Sequence, residues 1–257
     1  ENAAHFERWQ VSCEGGLKGR TITIDGLKST LTDVLARITW ADGSVEVVRL
    51  TPEQPALVLK GAQTVWEVAQ TYFILGVEHI LGGIDHLLFV LALMLLIRDP
   101  WALVKTITAF TIAHSITLTG AALGYLSLPQ PPVEAVIALS IAFVARELLV
   151  MKPGERRLSE AYPWLVAFSF GLLHGFGFAG ALKEIGLPQA DVPLALLTFN
   201  LGVEAGQLLF VAAILALYRT ASVMTRLPMA PIRTAIAYGI GTAATFWLLT
   251  RIYAFIV

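Results

Sequence analysis

From residue 72 onward the chain alternates between long apolar runs and short polar interruptions. The runs lie at about 72–97, 101–126, 132–151, 162–182, 191–218 and 232–256. Each is long enough to cross about 30 Å of hydrocarbon. The interruptions are rich in Pro, Gly and charge: Arg98-Asp99-Pro100, Leu128 to Pro132, Lys152 to Glu160, Lys183 to Pro188 and Arg219 to Pro231. Backbone groups in lipid must be satisfied within their own segment, so the pattern predicts six transmembrane helices. Residues 1–60 follow a different period. Thr21–Ile24, Val34–Trp40 and Val45–Leu50 are β-branched alternations broken at Asp25-Gly26 and Ala41-Asp42-Gly43-Ser44, which predicts a small all-β domain. The expected organisation is a β-rich domain over 1–60, a linker helix over 61–71 and a mainly α, six-helix polytopic bundle over 72–257. In the linker, Ala62, Val65, Trp66 and Ala69 share one helical face, which suits a helix lying on the membrane interface. An extension of the first span is the competing reading.

Composition agrees. The chain has 257 residues, 56% hydrophobic and 14% charged, where a soluble domain carries about 25% charged residues. Residues 1–60 hold 15 of the 37 charges, so the remainder is sparsely charged. A formal net charge of −1 gives no reason to expect a nucleic-acid partner. The single cysteine, Cys13, excludes an internal disulfide and any multi-cysteine metal cluster, and is expected to be a half-buried strand residue. Arg98, Lys105, Lys152, Arg156, Arg157, Arg219, Arg226 and Arg233 fall at the loops and helix ends of one side, with Lys183 and Arg251 nearly alone on the other. The basic side is then cytoplasmic, and both the N-terminal domain and the C-terminus lie outside. The chain opens at Glu1 on a polar segment, which reads as a mature chain whose signal peptide has been removed and agrees with that orientation.

Ionisable groups in hydrocarbon are costly and call for a reason. Four of the five histidines fall within predicted spans: His79 and His86 in the first, His114 in the second and His174 in the fourth. His5 lies in the polar N-terminal segment. His86, His114, His174 and Glu204 reach a similar depth near the midplane of four different spans. His79 is expected about 10 Å nearer the outside, at about 1.5 Å per residue of continuous helix. His79 and His86 would share a face with Gly82 and Gly83, and Asn200, Glu204 and Gln207 form one polar stripe on the fifth span. Imidazoles and carboxylates meeting in a dry interior suit a divalent transition metal, with His79, Asp85, His86, His114, His174 and Glu204 as candidate ligands. Asp85, about 100° around from His86, is assigned an orienting or secondary-ligand role, with Glu78, Asn200 and Gln207 in support. Interhelical hydrogen bonding is the competing account of the same residues. Haem fits poorly, because axial histidines facing two haems sit further apart along a helix than seven residues. Glu134 is expected at the outer interface, and Glu147 to pair with Arg146 or another basic group at the inner one.

Three segments are also similar to a known family. His79-Ile-Leu-Gly-Gly-Ile-Asp85-His86-Leu, Phe110-Thr-Ile-Ala-His114-Ser and Gly171-Leu-Leu-His174-Gly-Phe-Gly-Phe resemble the HupE/UreJ family of bacterial membrane proteins, over about residues 72–218. The resemblance implies an inner-membrane permease for nickel or cobalt, with His79, Asp85 and His86 recognising the metal and His114 and His174 matching the other histidine motifs. Ile80 stands where hydrogenase-linked members carry proline, and the outer domain looks like the longer branch of the family. The runner-up reading is an intramembrane zinc-dependent hydrolase acting on a lipid or membrane-embedded peptide. In it three histidines and Asp85 hold Zn²⁺ with an open position for water, and Ser115 or Glu204 moves protons. A metal sensor or chaperone, meeting an extracytoplasmic protein partner through residues 1–60, is a weaker third.

Overall fold

A computed structural model of the chain describes residues 12–30, 32–41, 43, 45–59, 64–150, 157–185, 192–224 and 229–256. His5, Lys152, Arg156 and Arg226 lie outside the described residues, as do residues 61–63 of the expected linker.

Two compact units result, Glu1–Ala69 with Ala181–Ala195, and Gln70–Gly180 with Leu196–Val257. In the first, β1 (Thr21–Thr23) pairs antiparallel with β4 (Ala56–Val58), and β2 (Val34–Thr39) with β3 (Val45–Leu50). The β2–β3 pair is the hairpin expected at Ala41 to Ser44, and Gly43 supplies the left-handed residue with φ 84°. The Asp25-Gly26 break does not join β1 to β2. Gly26, with φ 84°, instead leads into a single 3₁₀ turn at Leu27–Ser29, and β1 finds its partner in β4. Cys13 is half-buried as expected, but it precedes a turn closed by the Gly16 N–H on the Cys13 carbonyl and is not in a strand.

The helices are α1 (Val65–Gly82), α2 (Ile84–Leu96), α3 (Pro100–Ala122), α4 (Gln130–Val150), α5 (Leu158–Ala161), α6 (Pro163–Ile185), α7 (Val192–Met224) and α8 (Met229–Ile256). A capping box starts α1: the Thr64 N–H donates to Glu67 Oε2 at 2.8 Å, and the Glu67 N–H donates to Thr64 Oγ1 at 3.3 Å. From this cap α1 runs unbroken to Gly82, so the described part of the 61–71 linker is the first turns of α1 rather than a separate helix. Asp99 caps α3, accepting from the Trp101 and Ala102 N–H groups, with Pro100 at the first helical position.

The first apolar run, expected as one continuous helix, is two. Gly83 is extended, with φ −86° and ψ 96°, and α1 and α2 meet there at 73°. Paired glycines make this the weakest point of the run, since each costs about 1 kcal/mol in a helix interior relative to Ala. The break is tidy: the Gly83 N–H still donates to His79 O, and the Leu87 N–H donates to Gly83 O. By length and composition α3 and α7 can each cross a membrane, and the bent α1–α2 pair makes a third candidate span.

The core of this unit combines one large apolar cluster with buried polar side chains, among them His86, His114, Ser140 and His174. Phe89 and Leu93 of α2, Ile107 and Phe110 of α3, Ile141 and Val144 of α4, and Ile240 and Ala244 of α8 are buried in one cluster. α4 and α8 run antiparallel, with Gly241 against Ala145 at one level and Arg251 bonded to Glu134 at another. At the other end of α4 the buried Glu147 accepts from Arg146 at 3.3 Å, Arg157 at 3.2 Å and Ser159 at 2.7 Å. The expected Arg146 partner is present. The hydroxyl of Ser159 in α5 makes the shortest of these bonds, and Arg157 precedes that helix directly.

Candidate metal centre

The break at Gly83 builds the centre. It places His79 in the last turn of α1, and Asp85 and His86 in the first turn of α2. In a straight helix His79 and His86 would lie about 10 Å apart along the axis. Across the bend their ring centroids are 4.9 Å apart, so His79 belongs to the cluster and is not an outer station. The expectation of a 10 Å descent from His79 to His86 rested on a continuous helix and does not hold.

Two further helices, α3 and α6, bring the other imidazoles. The His86 ring lies 5.2 Å from that of His174 on α6 and 6.1 Å from that of His114 on α3, and His79 is 6.2 Å from His114. His86, His114 and His174 are 5%, 0% and 1% exposed. Asp85, His86 and His174 each offer one ligand atom within 4.8 Å of the others. Aromatic rings wall the cluster. Phe89 and Phe110 lie 5.4 and 5.1 Å from His174, and Phe178 lies 4.0 Å from His79 and stacks on Phe199.

Hydrogen bonds fix which ring nitrogens are free. Asp85 Oδ1 lies 3.2 Å from His86 Nδ1, and a carboxylate accepts, so Nδ1 carries the proton and Nε2 keeps its lone pair. Ser140 of α4 donates its one hydroxyl proton to Ile137 O at 2.6 Å, which leaves Ser140 Oγ to accept from His174 Nε2 at 3.0 Å. The His174 lone pair is therefore on Nδ1. Both free nitrogens, His86 Nε2 and His174 Nδ1, are buried without a hydrogen-bond partner, as are His79 Nε2 and both nitrogens of His114. Buried polar atoms are normally satisfied; one of the two His114 nitrogens keeps its proton, and a lone pair from each of the four rings suits a cation that takes up lone pairs. Carboxylate and hydroxyl groups that orient ligating imidazoles are the usual outer partners of such a site.

Gly83 is needed for this arrangement. A Cβ there would lie 2.8 Å from His86 Nδ1 and 3.2 Å from Asp85 Oδ1, between the two groups that orient each other.

The remaining candidates have other hydrogen-bond partners or lie at the surface. Glu204 Oε1 accepts from Thr108 Oγ1 at 2.6 Å and is outside the three-residue ligand group. Gln207 Oε1 accepts from Thr111 Oγ1 at 3.0 Å, and Asn200 Nδ2 donates to Leu196 O at 2.8 Å. The polar stripe on α7 thus pairs in part with hydroxyls of α3. Ser115 Oγ donates to Thr111 O at 2.6 Å, inside its own helix. Glu78 is exposed. Ser140 was not among the sequence candidates; the only signal was a lone hydroxyl in the apolar middle of α4.

A cavity of about 430 Å³ adjoins the cluster, lined among others by His79, Asp85, His86, His174, Glu134 and Arg251. A family model described as HupE / UreJ protein matches residues 54–251. No curated protein and no solved structure matches the chain.

Proposed function

The chain belongs to the HupE/UreJ family, and from that membership and the imidazole cluster we propose that it is a permease for a divalent transition metal, nickel or cobalt by family likeness. The observation that carries this reading is the set of five partnerless buried ring nitrogens beside Asp85, next to a cavity that Asp85, Glu134 and Arg251 help to line. Neutral imidazoles can replace the water shell of the ion, and the Asp85 carboxylate balances part of its charge. Asp85 and Ser140 hold His86 and His174 in the tautomers that present lone pairs, so the rings need little reordering when the ion arrives. Protons compete for the same lone pairs and supply a route to release.

The reading takes the six apolar runs as spans in the bacterial cytoplasmic membrane, with the β-rich domain and the C-terminus outside. In α4, Glu134 and Glu147 are each paired with arginine, and in α8 Arg251 is paired with Glu134, which lowers the cost of placing these helices in a bilayer. Catalysis is less well supported: the Ser115 hydroxyl is bonded within α3, and Glu204 accepts from Thr108.

Transport is tested in proteoliposomes enclosing a nickel-sensitive dye. Added Ni²⁺ should reach the lumen faster than in protein-free liposomes, and His86→Ala should abolish the difference. Tight stoichiometric binding without any ion reaching the lumen contradicts a permease and favours a resident metal.

A further inference from the structure

The ion pair between Arg251 and Glu134 lines the same cavity as Asp85, His86 and His174. Arg251 Nε donates to Glu134 Oε2 at 2.6 Å, with side chains 48% and 37% exposed. The contrast with Glu147 is informative. Glu147 is 5% exposed and held by two arginines and a serine, as an anchor is. Among the described residues Glu134 shows one partner, and both members of the pair are open enough for the contact to exchange. A half-exposed ion pair adds little to folding. The packing of Ile141 and Ala145 against Ile240 and Ala244 already holds α4 to α8.

Charge gives the pair a role. Counting Asp85 and Glu134 as anionic, Arg251 as cationic and the imidazoles as neutral, these lining groups carry a formal −1. A divalent ion turns this to +1, and without Arg251 it would bring it to zero. A cationic side chain on the wall therefore opposes the bound ion, and it also occupies the carboxylate that an incoming cation would use. We propose that Arg251 is a tethered counter-cation: it holds Glu134 until a divalent cation displaces it, and its charge keeps the cargo at His86 and His174 loosely enough bound to leave. This rests on the reading that the cavity takes a divalent cation.

The test is equilibrium binding of Ni²⁺ alone to the detergent-purified full chain. Arg251→Gln should bind about tenfold tighter or more and release more slowly, because a repelling charge has gone. Glu134→Gln should bind about tenfold weaker. Arg251→Lys should stay within about threefold of wild type, and so should the double variant Glu134→Gln/Arg251→Gln, whose formal charge is restored. Unchanged or weaker binding by Arg251→Gln, with wild-type binding intact, overturns the proposal. If that variant does not accumulate, Glu134→Gln decides: wild-type affinity there overturns it, and weakened affinity with Arg251→Lys near wild type supports it. Failure of the reading that the cavity takes a divalent cation is visible separately, since the wild-type chain itself would then show no saturable Ni²⁺ binding.

Discussion

Replacing His86 or His174 by alanine should weaken Ni²⁺ binding by about a hundredfold or more while the protein still inserts and folds. Each ring brings a lone pair already presented by a fixed tautomer, and these two with Asp85 are the group whose ligand atoms lie within 4.8 Å of one another. Folding should survive because each of the two rings also carries a partnerless buried nitrogen, so truncation removes an unsatisfied polar group along with the packing. The effect should be graded by role. Ser140→Ala leaves both ligands in place and only frees the His174 ring to change tautomer, so its loss should be about tenfold, at the lower end of what outer-partner substitutions cause. Equilibrium dialysis of the purified variants measures the series. Equal losses for Ser140→Ala and His174→Ala would mean that Ser140 does more than orient the ring.

The second large effect is on folding. Gly202→Leu should prevent stable assembly of the helices, and Gly202→Ala should already destabilise them by about 3 kcal/mol. A Cβ on Gly202 would collide with Phe73 O and lie 3.1 Å from Gly76 Cα, while one on Gly76 would collide with Phe199 O and lie 2.9 Å from the Val203 nitrogen. The obstacles are backbone atoms, which no rotamer change can move aside. α1 and α7 therefore touch through two glycines, the kind of close approach on which helix association in lipid depends. Gly82 and Gly239 are the controls, because a Cβ there meets nothing within 4 Å, and their alanine variants should be at least as stable as wild type. Thermal unfolding in detergent, followed by fluorescence, separates the two classes. Because α1 carries His79, the Gly202 variants should also lose metal affinity in whatever fraction remains folded.

Much of the site was legible because its members are expensive where they stand. Histidines in hydrocarbon needed an explanation, and His86, His114 and His174 meet as their similar depths along separate runs suggested. The β2–β3 hairpin was legible from Asp42-Gly43 in the same way, as local turn chemistry. The bend at Gly83 was not. Two adjacent glycines signal either close helix packing or a break, and only tertiary contacts decide between them. That one choice moved His79 from an expected outer position to the side of His86. Depth along a run was likewise a poor guide to Glu204, because it says nothing of a neighbour such as Thr108, whose hydroxyl donates a hydrogen bond to that carboxylate. Glu134 and Arg251 were both read as outer-end residues. Their pairing follows from the antiparallel contact of α4 with α8, a relation between residues more than a hundred positions apart in the chain.

The most direct measurement is X-ray absorption at the nickel edge of the metal-loaded, purified chain. Coordination by at least two imidazole nitrogens, lost when His86 and His174 are both replaced by alanine, is the predicted result. An all-oxygen shell, or an imidazole signature that survives the double replacement, would show that the ion binds somewhere else.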